Sequence, residues 1–441
     1  MRLAGWGNYP VADVRLGTPR YTDEAPAWLD AAGSLIPRGN GRSYGDAALN
    51  PELTLSTLAL SRVRAFDRAT GRITVEAGAL LSGLLPVLVA AGWFPPVSPG
   101  TKFVTVGGMA AADVHGKNHH GAGSFARHVE ALELLTADGC VRRCTPESDA
   151  ALFEATLGGM GLTGLILTVT FRLLPIRSAW MRQETVPCGD LDAVMAAFED
   201  AADWTYSVAW IDCLAAGGSL GRSLLYRAEH ALPEELPAAR RAEPFALPAR
   251  RALAVPFFLP RGLLNGTTVR AFNALYYRRH AARAGTALVD LDTYFYPLDA
   301  IREWNRIYGR AGFAQHQCVL PLEHARAGLR ALLERIGRAG SGSFLAVLKR
   351  LGPGRGGLSF PMAGYTLALD FPVTPRNLAL LDELDAIVAS HGGRIYLAKD
   401  ARAARPVIEA GYGGLDAFEA QRRAADGSER FQSLLSRRLG L

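Results

Sequence analysis

The chain has 441 residues, of which 49% are hydrophobic and 20% are charged. This length exceeds one ordinary domain and the composition excludes a disordered chain, so we expect at least two folded domains. The formal net charge of +6 is too small at this length to indicate nucleic-acid binding, and it suits an anionic small ligand or an anionic membrane surface. The cysteines number five, an odd count, and their spacing favours neither disulfides nor zinc, so we expect reduced thiols in a cytoplasmic protein.

The first 177 residues alternate glycine-rich loops with short strands and helices. Hairpins are predicted at 62–78 and 131–146, with turns at Thr70-Gly71 and Asp138-Gly139. Helices are predicted at 80–92, ending at Gly92, and at 148–158. The apolar stretch 79–97 is interrupted by Ser82, Gly83 and Pro86, which indicates a core helix rather than a membrane span.

The pattern changes after about residue 177. Strands predicted at 205–213, 286–297, 313–321, 343–352 and 364–373 are interspersed with helices at 322–337 and 377–392. This pattern predicts an α+β substrate domain over 178–393, built on one antiparallel sheet with helices on a face. Residues 232–266 read as a loop-like insertion, and residues 394–441 are predicted to return to the first domain.

Three glycine-rich segments lie in the first domain, at 37–50, 99–125 and 157–164. Glycine allows backbone N–H groups to approach a phosphate closely, so three such loops indicate a large phosphate-bearing cofactor. Gly159, Gly161 and Gly164 satisfy the GxGxxG spacing of a Rossmann loop. They follow a predicted helix and enter a strand, which is the reverse of the Rossmann order, so a Rossmann site is not predicted.

Several longer motifs carry a family resemblance that covers essentially the whole chain: RGNGRSYGD, TVGG, DVHGKNHH, GLTG, SFLAVLK and YLAKDAR. They resemble the vanillyl-alcohol oxidase superfamily of two-domain FAD-binding proteins. Within it they are most similar to the oxidising subunits of epimerases that act on a lipid-linked ribose. The resemblance implies FAD as cofactor and oxidation of the 2'-hydroxyl of a polyprenylphosphoryl-ribose to a 2'-keto sugar. That reaction is the first half of epimerisation to the arabinose form, used in cell-envelope biosynthesis.

The same resemblance implies a separate NADH-dependent short-chain reductase as partner and a cytoplasmic location with peripheral contact at the inner membrane. Two alternatives stay open: a soluble alditol or aldonolactone oxidase, and a flavin-fold protein that binds a ligand without catalysis. Intact Lys399 and His115 argue against the second alternative.

The cofactor contacts implied by the resemblance come from the three loops and from the YLAKDAR motif. They are Arg38, Gly39, Asn40, Gly41, Arg42, Ser43, Tyr44, Gly100, Thr101, Thr105, Val106, Gly107, Gly108, Ala112, His115, Ser124, Gly161, Thr163, Ile166, Tyr396, Ala398 and Lys399. Many relatives link FAD covalently through a histidine at the position of Arg42, so an exchangeable flavin is expected here.

Catalysis of alcohol oxidation needs a proton acceptor and positive charge near the flavin ring that receives the hydride. The resemblance implies Lys399, His115 and Tyr44 for these roles. His119 and His120 accompany His115 without other ligands at metal spacing, so no metal is expected.

The substrate contacts implied by the resemblance are Trp210, Phe295, Gln315, Gln317, Lys349, Thr366 and Ala368. Gln315 and Gln317 alternate along a strand and therefore face the same side, and Lys349 offers charge to a phosphate. Three positions depart from the relatives, since Phe295 replaces a tyrosine, Thr366 an asparagine, and Ala368 a cysteine that nitroaromatic inhibitors trap.

The insertion contains RRALAVPFFLPR at 250–261, with apolar residues between arginines. Two interpretations are equally compatible with this pattern. The segment is either a landing surface on an anionic bilayer or a loop packed on its own core.

Overall fold

A computed structural model describes residues 1–248, 253–260, 262 and 264–441. Within these ranges the fold is organised by a five-stranded and an eight-stranded antiparallel sheet, with helices packed against both. The α+β class predicted from the sequence is confirmed. Arg250, Arg251, Ala252 and Arg261 of the predicted landing surface lie outside the described residues.

The first sheet lies within residues 63–172. Its strands, in spatial order, are Val141–Cys144, Val129–Leu135, Leu165–Arg172, Arg72–Glu76 and Val63–Asp67. Both predicted hairpins form, and each turn contains a glycine with positive φ, Gly71 and Gly139. One face of this sheet packs on the predicted core helix, which spans Leu81–Ala90 and is followed by Gly92 at φ +80°.

The opposite face of the first sheet packs on a small parallel sheet, made of Leu16–Gly17, Thr54–Ser56 and Ile36–Arg38. The C-terminal segment joins this layer, because Phe431 is buried in it and Leu35 N donates to Arg430 O at 2.7 Å. Residues near the two ends of the chain therefore pack together. The predicted domain boundaries stay a prediction.

The large sheet lies within residues 180–395. Its strands, in spatial order, are Gly285–Asp290, Trp180–Cys188, Ser223–His230, Tyr206–Ile211, Ala346–Leu351, Gly364–Pro372, Phe313–Pro321 and Arg394–Ile395. Alternate residues such as Leu348, Leu367 and Leu369 are fully buried and belong to the core that includes the helices Leu322–Ala339 and Pro375–Ser390. The residues between them point to the other face, which is the face that the site uses.

Two regions differ from the sequence-based expectation. The strand predicted at 286–297 ends at Asp290, and Leu291–Phe295 forms a helix that Asp290 caps by accepting from Thr293 N at 3.1 Å. In the predicted loop-like insertion, the helix Ala238–Arg241 and the strand Leu253–Ala254 are described, and this strand pairs with Ile301–Arg302.

The remaining elements are short or peripheral. The other helices are Ala25–Leu29, Val106–Ala111, His119–Ala122, Ala150–Thr156, Leu191–Glu199, Gly266–Ala281, Arg405–Gly411, Leu415–Ala425 and Leu434–Leu439; the other strand pairs are Arg2–Ala4 with Val11–Asp13 and Trp93–Phe94 with Leu174–Pro175. All five cysteines are free. None of the helices in the described ranges combines the length and apolar composition needed to cross a membrane.

Candidate active site

A cavity of about 1180 Å³ lies between the glycine-rich loops and the free face of the large sheet. Pockets for drug-sized ligands are roughly 300–1,000 Å³, so this cavity has room for a dinucleotide together with part of a second ligand. We call its two sides the loop wall (the cavity-lining residues of segments 39–44, 98–117 and 161–166) and the sheet wall (the cavity-facing residues of the large sheet and of the Gly266–Ala281 helix).

The loop wall is built mainly from backbone. Gly41 has φ +62°, and a Cβ added to Gly39 would lie 2.2 Å from Thr105 Oγ1, so both positions require glycine. Asn40 Nδ2 donates to Phe103 O at 2.8 Å, which ties the first loop to the second. Thr105 accepts from Gly108 N and begins the helix Val106–Ala111. The result is a fixed concave surface of peptide groups, which fits the phosphates of a dinucleotide.

Most residues expected to contact FAD line this cavity, and four do not. Arg38 donates to Ala4 O and Ala48 O, Ser124 donates to Asp113 Oδ2 at 2.8 Å, Thr163 bonds to Thr156, and Val106 is buried in the apolar core. The structure therefore places Arg38, Val106, Ser124 and Thr163 behind the wall rather than on it.

Arg42 is held against aromatic rings on the loop wall. Its guanidinium lies 3.8 Å from the Trp6 ring centroid and 5.4 Å from that of Phe103. Its Nε is buried and has no hydrogen-bond partner among the described residues. Desolvation lowers the pKa of Arg42, while Asp299 and Glu303 oppose this change. Arg42 lines the cavity, so its guanidinium fits an anionic or carbonyl group of a bound cofactor.

Lys399 lies where the loop wall meets the sheet wall. Its Nζ is 3.6 Å from the Tyr44 ring centroid, and Tyr44 N donates to Ala398 O at 3.0 Å, so the two segments are fixed to each other. Enclosure in the cavity lowers the pKa of Lys399 to about 7; Asp370 raises it and Lys349 lowers it further. An amine with a pKa this near neutrality exchanges protons readily at physiological pH.

His115 and Gln317 form the next part of the site. The Gln317 amide nitrogen lies 3.0 Å from His115 Nε2 and donates to Thr366 Oγ1 at 3.2 Å. Burial holds the pKa of His115 well below its usual value, and the nearby Lys349, His119 and Lys399 act in the same direction. The imidazole is therefore neutral, and its Nδ1 has no partner among the described residues.

Lys349 and Lys117 are two further amines in the cavity. Desolvation lowers the pKa of Lys349 to about 8 and that of Lys117 to about 7, and Lys349 contributes to the second shift. Lys117 Nζ donates to Tyr294 O, and neither amine pairs with a carboxylate among the described residues. Enclosed cations without counter-charges favour an anionic ligand.

Aromatic side chains form the outer part of the sheet wall. Trp210 lies 4.7 Å from Tyr276, and Phe272 lies 5.7 Å from Phe344, measured between ring centroids. Phe272 and Tyr276 belong to the helix Gly266–Ala281. Phe295 lines the cavity from a buried aromatic cluster, in which its ring lies 4.8 Å from Phe94 and 5.0 Å from Tyr206. All residues expected to contact substrate, Ala368 included, line the cavity.

Sequence reasoning missed Lys117, Asp370 and Trp6. A usable signal existed for Lys117, because only four of the 48 lysines and arginines are lysines: Lys102, Lys117, Lys349 and Lys399. Three of these four line the cavity. In this arginine-rich chain three of the four lysines thus meet in one cavity, and an amine, unlike a guanidinium, has a pKa that burial shifts readily. Among the described residues, no group of three or more histidine, cysteine or acidic side chains is placed to hold a metal.

Comparison with known proteins agrees with this geometry. A family model described as an FAD binding domain matches residues 18–145, which include most of the loop wall. The chain is 39% identical to the decaprenylphosphoryl-beta-D-ribose oxidase of Mycolicibacterium smegmatis, over all of this chain and 97% of that protein. It is 42% identical to an uncharacterized protein of Streptomyces coelicolor over 82% of this chain and all of that protein. It is also 36% identical to the L-gulonolactone oxidase of Mus musculus over 31% of each chain.

The match to the FAD binding domain and the full-length match to a named oxidase confirm the predicted cofactor and enzyme class. The protein is an FAD-dependent oxidoreductase. With an end-to-end match at this identity, the chain belongs to the decaprenylphosphoryl-beta-D-ribose oxidase family.

Proposed function

We propose that the protein oxidises the 2'-hydroxyl of a polyprenylphosphoryl-ribose to the 2'-keto sugar, the first half of epimerisation to the arabinose form. One observation carries the proposal. A single cavity combines Lys399 and His115 for handling a hydroxyl, two amines at Lys117 and Lys349 without counter-charges among the described residues, and an aromatic part of the sheet wall. The name of the full-length mycobacterial relative gives a decaprenylphosphoryl-ribose as what that protein acts on.

At the hydroxyl end, bound FAD supplies the hydride acceptor. The Lys399 amine, with a pKa of about 7, accepts the hydroxyl proton, and the ammonium that forms provides positive charge beside the cofactor. Because the Gln317 N–H group faces His115 Nε2, that nitrogen accepts and the ring proton lies on Nδ1, so the neutral imidazole fixes the Gln317 amide beside the place of the sugar hydroxyl. Tyr44 holds the Lys399 amine over its ring.

The phosphate is assigned to Lys349 and Lys117. Lys349 stands between Val208 and Thr366 in the sheet, on the side of Gln317 away from Gln315. Lys349 shares this face of the sheet with Gln317. A ribose whose hydroxyl binds at Lys399 and His115 therefore has its phosphate on the same face, near Lys349. Two ammonium groups without carboxylate partners attract a phosphodiester and reject a neutral alditol.

The lipid is assigned to the aromatic part of the sheet wall, which includes Trp210, Phe272 and Tyr276, and to exposed apolar residues at the rim of the cavity. Phe272 is 44% exposed, and in the described part of the insertion Leu253 and Phe257 are 72% and 63% exposed. Leu253–Ala254 pairs with Ile301–Arg302, whose side chains line the cavity, so these apolar residues lie close to its rim. This arrangement supports peripheral contact at the inner face of a membrane, from which a polyprenyl chain enters.

The keto product requires reduction to complete an epimerisation. A separate NADH-dependent short-chain reductase, working in the cytoplasm on the same lipid-linked sugar, is the partner that this chemistry needs. Such an enzyme would return a hydride to the opposite face of the keto carbon.

The test is anaerobic reduction of the bound flavin, followed by loss of its visible absorbance. A short-chain polyprenylphosphoryl-ribose is compared with ribose, xylitol and galactonolactone at equal concentrations. We expect the lipid-linked sugar to reduce the flavin fastest. Faster reduction by xylitol or galactonolactone would assign the protein to the alditol or aldonolactone oxidases instead.

The flavin itself is expected to be exchangeable, because Arg42 has no nucleophile with which to bond the ring. Acid precipitation should release intact FAD into the supernatant, where chromatography identifies it. Yellow colour that remains with the precipitated chain would contradict this expectation.

A further inference from the structure

Asp370 is a buried carboxylate beside the cavity, on the same face of the large sheet as Gln315. It lies on the strand Gly364–Pro372, opposite Gln315, and is 1% exposed. Its Oδ1 accepts from Gln315 Nε2 at 2.6 Å, and the Tyr308 hydroxyl also faces this carboxylate, so its nearest partners are neutral side chains. No arginine or lysine in the described ranges lies within ion-pair distance of it. A buried carboxylate with so little local compensation is costly and calls for a reason.

The groups that face Asp370 come from four segments. Gln315 bonds to it from the neighbouring strand, and Tyr308 and Tyr44 have pKa values raised by burial and by the charge of Asp370. Lys399 is the cation that acts on Asp370. Asp370 raises the pKa of Lys399, and Lys399 lowers the pKa of Asp370. Lys349 acts on both Lys399 and His115, and its charge disfavours a second positive charge in this part of the cavity.

This arrangement gives Lys399 one favourable partner in surroundings that otherwise oppose its charge. Desolvation and Lys349 both favour the neutral amine, and Asp370 is the group that opposes them. Burial also raises the pKa of Asp370 to about 7, and the nearby Lys399 lowers it.

We propose that Asp370 is a positioning residue that stabilises the ammonium form of Lys399 and, through Gln315, fixes an amide on the sheet wall. It acts through these two side chains rather than on the substrate, since it does not itself line the cavity. The inference rests on the role proposed for Lys399, and it is independent of which sugar the enzyme oxidises.

The small number of lysines allows a direct test. The FAD-loaded protein, labelled with [ε-¹³C]lysine, should give four lysine signals, and a Lys399→Met variant identifies the signal of Lys399. Its titration midpoint is compared between wild type and Asp370→Asn, which removes the charge but keeps an oxygen that accepts from Gln315. We expect the Lys399 midpoint to fall by about 1 pH unit or more, as for loss of an opposite charge nearby.

The controls separate this role from a structural one. The midpoints of Lys117 and Lys349 should not move in Asp370→Asn, because Asp370 is not among the charges that affect them. Asp385→Asn should leave Lys399 unchanged, because Asp385 is equally buried but bonds to His316 and Arg402 away from the cavity.

Flavin potential gives a second readout that needs no substrate. Positive charge near the flavin raises its potential, so Asp370→Asn should lower the potential between the lowered Lys399 midpoint and about pH 7, where only the wild type keeps the ammonium. In a Lys399→Met background the same change removes only a negative charge and should not lower it. An unshifted Lys399 midpoint, or an identical change of potential in both backgrounds, would overturn the proposal. If Asp370→Asn does not fold, Asp370→Ser carries the same expectations.

Discussion

The two walls of the cavity are built in different ways. The loop wall binds through peptide groups held by glycine backbone and by short links such as Asn40 to Phe103. The sheet wall binds through side chains brought together from strands that are far apart in sequence, such as Gln317 and Lys349. We therefore expect cofactor binding to depend on the backbone shape of the loop wall, and chemistry and specificity to depend on the charge and burial of side chains on the sheet wall. Substitutions in the loop wall should lower the FAD content, and substitutions in the sheet wall should lower the rate of oxidation or the affinity for substrate.

The largest effect is expected on the loop wall. Gly39→Val places carbon atoms where Thr105 Oγ1 lies 2.2 Å from an added Cβ, so the first loop must move away from the second. We expect protein that folds but purifies without FAD, measured by the ratio of visible to ultraviolet absorbance. Gly189→Val is the matched control, because a Cβ at Gly189 meets nothing within 4 Å. Normal FAD content in Gly39→Val would show that the first loop can move away from the second without loss of the cofactor.

The next effect separates the chemistry from cofactor binding. Lys399→Ala should keep FAD but lower the rate of flavin reduction by substrate by roughly 10²- to 10⁴-fold, the range for loss of a proton-transfer group. Lys102→Ala is the control, since Lys102 is paired with Asp292 and does not line the cavity. Rapid-mixing spectroscopy measures both rates. A wild-type rate in Lys399→Ala would remove Lys399 from the mechanism.

A smaller effect is expected where the sheet wall meets the phosphate. Lys349→Met and Lys117→Met should each raise KM for a polyprenylphosphoryl-ribose by about 10- to 100-fold, the value of a hydrogen bond to a charged group, with a smaller change in kcat. The pKa of Lys349 is lowered to about 8, so its charge is present below that pH and is lost as pH rises. The KM of the wild type should accordingly increase through this range, and the increase should be absent in Lys349→Met. Equal KM values in all variants would place the phosphate elsewhere.

The same comparison explains what the sequence could and could not predict. The loop wall follows from contiguous motifs, and glycines such as Gly41 report a backbone conformation directly. The large sheet follows from period-two alternation, which also placed Gln315 and Gln317 on one side. Asp370 was missed because an aspartate in a strand gives no sign of its burial or of the lysine that it affects. The helix Leu291–Phe295 was missed because aromatic residues there suggest a strand, while the cap at Asp290 decides otherwise.

Phe295, where the family resemblance implies a tyrosine, lies in surroundings that suit a ring without a hydroxyl. The residue is 1% exposed and packs among Phe94, Tyr206 and Tyr294, where a hydroxyl would need a partner. The sugar hydroxyls are left to Gln315, Gln317 and His115. Nothing in the structure explains why Thr366 replaces an asparagine.

The central claim is that this enzyme removes a hydride from C2' of a lipid-linked ribose. The most direct measurement is the deuterium isotope effect on anaerobic flavin reduction, with polyprenylphosphoryl-ribose deuterated separately at C1', C2' and C3'. We expect slower reduction of the flavin with deuterium at C2' alone. A primary isotope effect at C1' or C3', with none at C2', would contradict it.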